Sequence, residues 1–501
     1  MAEPLARTLM LQGTSSSVGK SYLVTGLCRL YARRGLRVAP FKAQNMALNA
    51  AVTPDGAEIG RAQAVQAEAA GVVPEVAMNP VLLKAEGDRT CQVVLMGRPL
   101  GSYGAGEMVA LRARLWPRVR AALDQLRRRF DLVVIEGAGS PAEVNLRRGE
   151  IVNMRVAKAA GAPVLLVGDV DRGGVFAALL GTLGLLPPSQ RRRVAGLIVN
   201  RFRGDPALFA EGVAFLERRS GLPVLGVVPH LDQVRLPAED SLELPLLVSR
   251  PAGAVLDVAV VHLGRISNFD ELQPLADEPG VGLRLVSRGE ELGRPDLVVL
   301  PGTKTTIRDL ERLRAGGLAR AIREAREAGT AVLGICGGYQ MLGRHIDDPE
   351  GVEEGGSVPG LGLLPTRTRF RPGKVTVLRR GRALGGPGLL ARAGGLEVRG
   401  YEIHMGRVRG GQLPVWDLGD QREGCRSPDG WVVGTSLHGV LAGPRLRRSI
   451  LESLAERRGV RLPPPAPPPP DPYDALADAL EAALDVEALD RILGLGPGGR
   501  R

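Results

Sequence analysis

Short apolar runs recur through the first half of the chain, each followed by a stretch with helical spacing: Thr8–Gln12, Arg37–Pro40, Asp131–Ile135, Pro163–Gly168, Ala195–Asn200 and Pro223–Val228. Runs that are continuously apolar, rather than alternating, suit strands covered on both faces, so this pattern predicts a mostly parallel sheet with helices on both sides. The polar groups of such a sheet gather at the carboxyl ends of its strands. Residues 236–254 break the rhythm with prolines and a short acidic patch, and read as a linker. A second series then begins at Leu256–His262 and continues through Leu283–Val286, Asp296–Leu300, Ala331–Ile335 and Trp431–Thr435, again as α/β. Between Gly351 and Gly395 a glycine-rich stretch carries short β-like pieces, expected as hairpins or loops on the second domain.

The proline run Arg461–Pro472 reads as a stiff spacer. Beyond it, Leu476, Leu480 and Leu484 fall at helical spacing within Tyr473–Leu493, which predicts a C-terminal helix packed on the body rather than a partner-docking arm. With 501 residues the chain exceeds one compact core. The expected division is a first domain at 1–235, the linker at 236–254, a second domain at 255–460, and a spacer with its helix at 461–501. The fold class is therefore α/β: two doubly wound, mostly parallel domains with a helical tail.

Charge and composition narrow the classes of function. A net charge of +12 raises the question of nucleic acid, but the arginines are interspersed with acids and stacking aromatics are few. A small polyanionic substrate accounts for the basicity equally well. Only six lysines occur among 66 basic residues, so Lys20 and Lys42 stand where a compact point charge is needed. No apolar run reaches the ~20 residues that span a bilayer. The start of the chain leads straight into a strand without a signal-peptide pattern. Cys28, Cys91, Cys336 and Cys425 are scattered, with neither metal-ligand spacing nor a disulfide framework. A reduced, cytoplasmic protein is the expectation, with homo-oligomerisation left open.

Two segments carry candidate chemistry. The first strand runs into Gly13-Thr14-Ser15-Ser16-Ser17-Val18-Gly19-Lys20-Ser21 and then a helix with Leu23, Leu27 and Leu30 on one face. Strand, glycine-rich loop and helix start form an anion cradle: Lys20 reaches the β- and γ-phosphates of ATP, and the Ser21 hydroxyl ligates Mg²⁺. The spacing is one residue longer than the common phosphate-loop pattern. Glu136 ends a strand beside this loop and is placed to hold Mg²⁺. Asp169 and Asp171 are weaker candidates of the same kind, and Asn200 could read the base. Lys42, in Pro40-Phe41-Lys42-Ala43-Gln44-Asn45-Met46, can neutralise charge near a transferring phosphoryl group.

The second segment is Val332-Leu333-Gly334-Ile335-Cys336-Gly337-Gly338-Tyr339-Gln340, a strand running into a glycine-flanked thiol that opens a helix. The turn thrusts the sulfur out of the sheet, and the helix dipole favours the thiolate. Among five histidines, His438 in Thr435-Ser436-Leu437-His438-Gly439 is the expected base and His404 the second choice; His230, His262 and His345 read as strand-end or surface residues. Pro301-Gly302-Thr303 can supply an oxyanion-hole N–H from Gly302, together with that of Gly337.

These residues resemble known families. The Gly-Ile-Cys-Gly-Gly-Tyr-Gln elbow, the Pro-Gly loop and the late His-Gly are similar to class I (triad-type) glutamine amidotransferases, which implies L-glutamine as co-substrate and Gln340 as a glutamine-binding residue. In that family a glutamate follows the histidine by two residues; here the position is Val440, so orientation of the imidazole is expected from Glu402 or a backbone carbonyl. The first domain resembles dethiobiotin synthetase-like ATPases, whose loop has the same stretched spacing. Together with Arg265-Ile266-Ser267-Asn268-Phe269 and Tyr401-Glu402-Ile403-His404-Met405-Gly406, nearly the whole chain resembles the cobyric acid synthase family.

That resemblance implies a cytoplasmic glutamine-hydrolysing carbon–nitrogen ligase acting on a corrinoid, with no nucleic-acid or membrane partner. It would amidate the b, d, e and g carboxylates of adenosylcobyrinic acid a,c-diamide through an acyl phosphate, with ammonia reaching it by a shielded route. The alternatives are a cobyrinic acid a,c-diamide synthase or CTP synthase, the latter normally keeping the glutamate that Val440 replaces. A P-loop partition ATPase would need neither Cys336 nor His438.

Overall fold

A computed structural model describes residues 5–86, 90–147, 149–231, 234, 236–237, 248–249, 251, 253–264, 266–467 and 470–496. Most of the expected linker, the boundary residue Arg235, Arg265 of the quoted motif and two prolines of the spacer lie outside them. The chain divides into two units, residues 1–47, 58–237 and 469–501 in one and residues 48–57 and 238–468 in the other. This departs from the expected division twice: residues 48–57 go with the second unit, and the C-terminal tail completes the first.

The first unit holds a six-stranded parallel sheet in the order Val224–Pro229, Val194–Phe202, Val164–Asp169, Arg7–Gly13, Leu132–Glu136, Val38–Phe41. Each strand lies within two residues of an expected apolar run. The register sets Leu11 beside Glu136, Gly13 beside Val167, and Asp169 beside Asn200, so the candidate residues share one end of the sheet. A smaller sheet of Gln44–Met46, Val81–Ala85, Thr90–Leu95 and Arg98–Gly104 was not expected.

The tail forms two helices, Pro472–Ala483 and Val486–Leu493, instead of one. Leu484 turns extended between them, and Asp485 caps the second by accepting the Ala488 N–H at 2.8 Å. Leu476, Leu480 and Leu489 are fully buried against Leu23, Leu27 and Leu30 of the helix Lys20–Arg33. Approach is so close that a Cβ on Gly26 would lie 2.4 Å from Leu480 Cδ1. Arg29 and Arg33 pair with Asp474 and Asp478 along the rim. Those pairs are partly exposed and worth about 0–1 kcal/mol each. Each buried leucine contributes about 1.5–3 kcal/mol, so the apolar contact dominates the docking.

The second unit has a sheet ordered Val281–Val286, Leu256–Val261, Leu297–Leu300, Ala331–Ile335, Val432–Thr435, all parallel, closed by the antiparallel Cys425–Arg426. The glycine-rich region holds the short strand Gly356–Pro359 and, as expected, a hairpin, but one much longer than the expected pieces. Arg367–Ala383 and Glu397–Arg409 form one long antiparallel ribbon, whose register jumps between Phe370 and Val375 and so accommodates Pro372 and Gly373. Gly381 lies mid-strand because a Cβ there would stand 2.1 Å from the Asp417 carbonyl oxygen. No helix of the described residues is long and apolar enough to cross a membrane.

Candidate active sites

In the first unit the loop between the strand Arg7–Gly13 and the helix Lys20–Arg33 wraps around the Lys20 side chain. Its ammonium donates to the Ser15 carbonyl at 2.9 Å and the Gly139 carbonyl at 3.4 Å. A Cβ on Gly13 would sit 2.6 Å from Lys20 Nζ, so the cradle is closed to any larger residue. Gly19 adopts φ +90, and a Cβ there would meet Asn200 Nδ2 at 2.1 Å. Asn200 donates to the Val18 carbonyl at 2.8 Å and thus braces the loop. The Thr14 N–H bonds the Val167 carbonyl at 2.9 Å, which commits that donor to the sheet rather than to a nucleotide.

Glu136 is the hub of this site. Its Oε1 accepts from Ser21 Oγ at 2.9 Å and Lys42 Nζ at 2.8 Å, and its Oε2 from Gln66 Nε2 at 2.6 Å. A hydroxyl and a carboxylate beside a phosphate cradle are hard oxygen donors of the kind that could hold Mg²⁺. Among the described residues no cluster of three or more His, Cys, Asp or Glu is grouped to hold a metal ion. Asp169 and Asp171 are instead committed to Arg201 and Arg203, at 3.0 and 2.7 Å.

In the second unit Cys336 sits between the strand Ala331–Ile335 and the helix Gly337–Leu342 with φ 51 and ψ −107, a sparsely populated positive-φ conformation that costs a non-glycine residue about 1–3 kcal/mol. Packing holds it there. The Cys336 N–H donates to the Thr435 carbonyl at 2.8 Å, and Gly338 bonds the Pro301 carbonyl at 3.1 Å. Gly338 cannot be larger, since a Cβ would lie 2.0 Å from the Leu300 carbonyl oxygen. Gly337 lies against Thr303, which brings the two expected oxyanion segments side by side. Asp309, whose carboxyl is pushed up by burial, accepts the hydroxyls of Thr303 and Thr305 and fixes that loop. Gln340 Oε1 accepts from Thr306 Oγ1 at 3.3 Å, and Thr306 N–H donates to Glu353 Oε2 at 2.7 Å. Burial pushes Glu353 up to about 8.

His438 is buried and hydrogen-bonded to Cys336. Burial works to lower its pKa, but the Glu271 carboxylate and the Cys336 sulfur outweigh it and push the imidazole up to about 10. Glu271 Oε1 lies 2.9 Å from His438 Nδ1, and Glu271 Oε2 accepts the Gly439 N–H at 2.9 Å. The Tyr401 ring stacks on the imidazole with centroids 5.4 Å apart. Glu402 does not orient His438. Its oxygens take Arg379 at 2.7 Å and His404 at 2.8 Å, so His404 belongs to a separate network. Glu271 was missed in the sequence although it lies two residues beyond the quoted Asn268-Phe269; an acid closing that motif was the available signal.

Fold and sites together define a class, a nucleotide-binding α/β unit joined to a Cys–His glutamine amidotransferase unit. Residues 9–243 match the CobQ/CobB/MinD/ParA nucleotide binding domain, and residues 257–446 the CobB/CobQ-like glutamine amidotransferase domain. Cobyric acid synthases are similar over the full length: that of Sorangium cellulosum is 53% identical, covering 98% of this chain and 99% of its own. The protein from Desulforudis audaxviator is 52% identical over 98% and 100%, and that from Chloroflexus aurantiacus 50% over 97% and 99%. The chain belongs to the cobyric acid synthase family.

Proposed function

We propose that this chain is a glutamine-hydrolysing ligase that amidates the b, d, e and g carboxylates of adenosylcobyrinic acid a,c-diamide at the expense of ATP. What carries the reading is a phosphate cradle and a Cys–His pair in one chain that matches a cobyric acid synthase over 98% of its length. In the second unit, Cys336 Sγ attacks the glutamine carboxamide carbon. The oxyanion is met by N–H groups of Gly302 and Gly337, and His438 gives its proton to the departing ammonia. Water then hydrolyses the thioester and releases glutamate. Gln340, with Thr306 and Glu353 beside it, is placed to hold the amino-acid end of glutamine.

In the first unit a substrate carboxylate oxygen attacks the γ-phosphorus of ATP. The bond to ADP breaks and an acyl phosphate forms, whose carbon then takes ammonia and expels phosphate. Lys20 balances charge on the β- and γ-phosphates, and Lys42 stands beside Glu136 at the same edge. Ser21 and Glu136 are the residues that would hold Mg²⁺, which would supply charge neutralisation on the phosphates. A cavity of about 130 Å³ lined by Gln44, Arg112, Ser140, Arg147 and Asn153 adjoins the Gly139 carbonyl that touches Lys20. Arg112 and Arg147 in its lining offer charge to one carboxylate arm of a corrin, beside Glu143 and Glu150, which line the same cavity.

The test is incubation with ATP, glutamine and the a,c-diamide, with products resolved by mass spectrometry into one step for each of the four carboxylates. Cys336→Ala should abolish glutamine-supported steps while ammonium salts still support them. Loss of both together would show that the thiol is structural.

A further inference from the structure

The geometry points to Glu271 as the positioning residue of the glutaminase site, doing from a distant turn what a glutamate two residues after the histidine does elsewhere; we infer this on the reading of Cys336 and His438 just given. Position 440 cannot do it, because Val440 is buried in the apolar core with Leu437 and Leu441. The carboxylate arrives from the single turn Phe269–Leu272.

That turn is held as a functional group needs to be held. Phe269 and Leu272 are 1% and 0% exposed and anchor it in the core. Asn268 enters it with φ 54, and its side-chain oxygen accepts the Ala50 N–H at 2.9 Å, so the segment 48–57 fastens the turn from outside. Both oxygens of Glu271 are used. One takes His438 Nδ1 and the other the N–H of Gly439, at 2.9 Å each, so the carboxylate grips the ring and the backbone that carries it. A carboxylate on Nδ1 fixes that nitrogen as the protonated one and leaves Nε2 for the sulfur.

The neighbouring groups do not offer the same service. Of the groups packed around the imidazole, Cys336 is its reaction partner and Tyr401 stacks on its face. Glu402 is bound by Arg379 and His404. Glu423 faces the Thr435 hydroxyl and the Ser436 N–H, at 2.6 and 2.7 Å, behind the strand end. Glu271 alone among these carboxylates reaches the ring.

The deciding experiment compares Glu271→Gln and Glu271→Asp with the unaltered enzyme, following glutamine hydrolysis across pH and the rate at which iodoacetamide alkylates Cys336, read by peptide mass spectrometry. Removing the charge should lower kcat/KM for glutamine by about 100-fold or more, since the acid-to-amide change at the orienting carboxylate of a Ser-His-Asp triad costs about 10⁴-fold in kcat. It should also move the alkaline limb of the profile toward neutrality, because the imidazolium loses its counter-charge. Aspartate should restore part of the rate and most of the limb. A uniform fall with the limb unmoved, or no fall, overturns the assignment. If neither variant folds, unaltered enzyme grown on isotope-labelled histidine decides it. The His438 ring should keep its Nδ1 proton above neutral pH, and a ring that loses it there refutes the role. Cys336→Ala run in parallel separates the two levels: persistent glutamine hydrolysis in that variant would defeat the thiol site itself, whatever Glu271 does.

Discussion

Replacing Gly302 with alanine isolates how tightly the loop and the imidazole are fitted. The backbone at Gly302 is not in the left-handed region, so alanine is not strained by φ. Its new methyl group would stand 2.8 Å from His438 Cε1 and 3.3 Å from the Ser267 carbonyl oxygen. Carbon atoms rest at about 3.5–4.0 Å, so either ring or loop must yield by roughly 0.7–1.2 Å. Neither yields cheaply. The ring is gripped by Glu271 and buried, and the loop is fastened by Thr303 and Thr305 to Asp309. A misplacement of about 1 Å costs on the order of 100-fold in rate. That is about 2.7 kcal/mol of transition-state stabilisation. The assay is glutamate release in steady state, with ammonium-supported amidation measured on the same preparation. Glutamine-supported kcat/KM should fall about 100-fold, while the ammonium-supported rate stays within a factor of about two. Glutaminase activity within a factor of about two of the unaltered enzyme would refute the packing argument.

Lys20→Ala should stop amidation from glutamine and from ammonium alike, since phosphate handling precedes the amine; surviving ammonium-dependent product would refute the ATP-site assignment. Leu480→Ala empties a fully buried position against the phosphate-loop helix and should destabilise the first unit by about 2–5 kcal/mol, read as faster amide exchange in Lys20–Arg33. The raised pKa of His438 gives a sign to the pH response. Its folded value near 10 lies above the ordinary 6.5, so its stabilising charge is fully present below 6.5 and is lost as pH rises toward 10. Alkylation of Cys336 and glutamine hydrolysis should therefore change on the alkaline side, and a profile with its only transition on the acid side would contradict the assignment.

Local signals in the sequence carried the parallel strands, the phosphate loop and the thiol elbow, because each is built from residues a few positions apart. What escaped was long-range. Glu271 meets His438 across 167 positions; the acid closing the Asn268-Phe269 motif is visible locally, but the histidine it pairs with is not. The ribbon Arg367–Ala383 read as fragments because Gly373 and Gly381 look like turn punctuation, whereas one sits in the bulge region and the other admits a neighbouring backbone. The tail was expected as one helix since Leu476, Leu480 and Leu484 keep a helical interval. The extended Leu484 still buries its side chain, so burial at that spacing did not require a helix. Val440 advertised a missing carboxylate, but only folding shows from which side it is replaced.

The tail's place in the first unit bears on the order in which the chain can mature. The apolar stripe of Leu23, Leu27 and Leu30 emerges from the ribosome before the second unit, yet its cover, residues 472–493, is made only after that unit. At about 5–20 residues per second, the intervening second unit delays that cover by roughly 10–50 s. The nascent nucleotide-binding half must wait with a greasy seam open, and a fragment ending near residue 237 would never close it. The nucleotide-binding unit can therefore bury its own helix Lys20–Arg33 only after the amidotransferase unit has been translated.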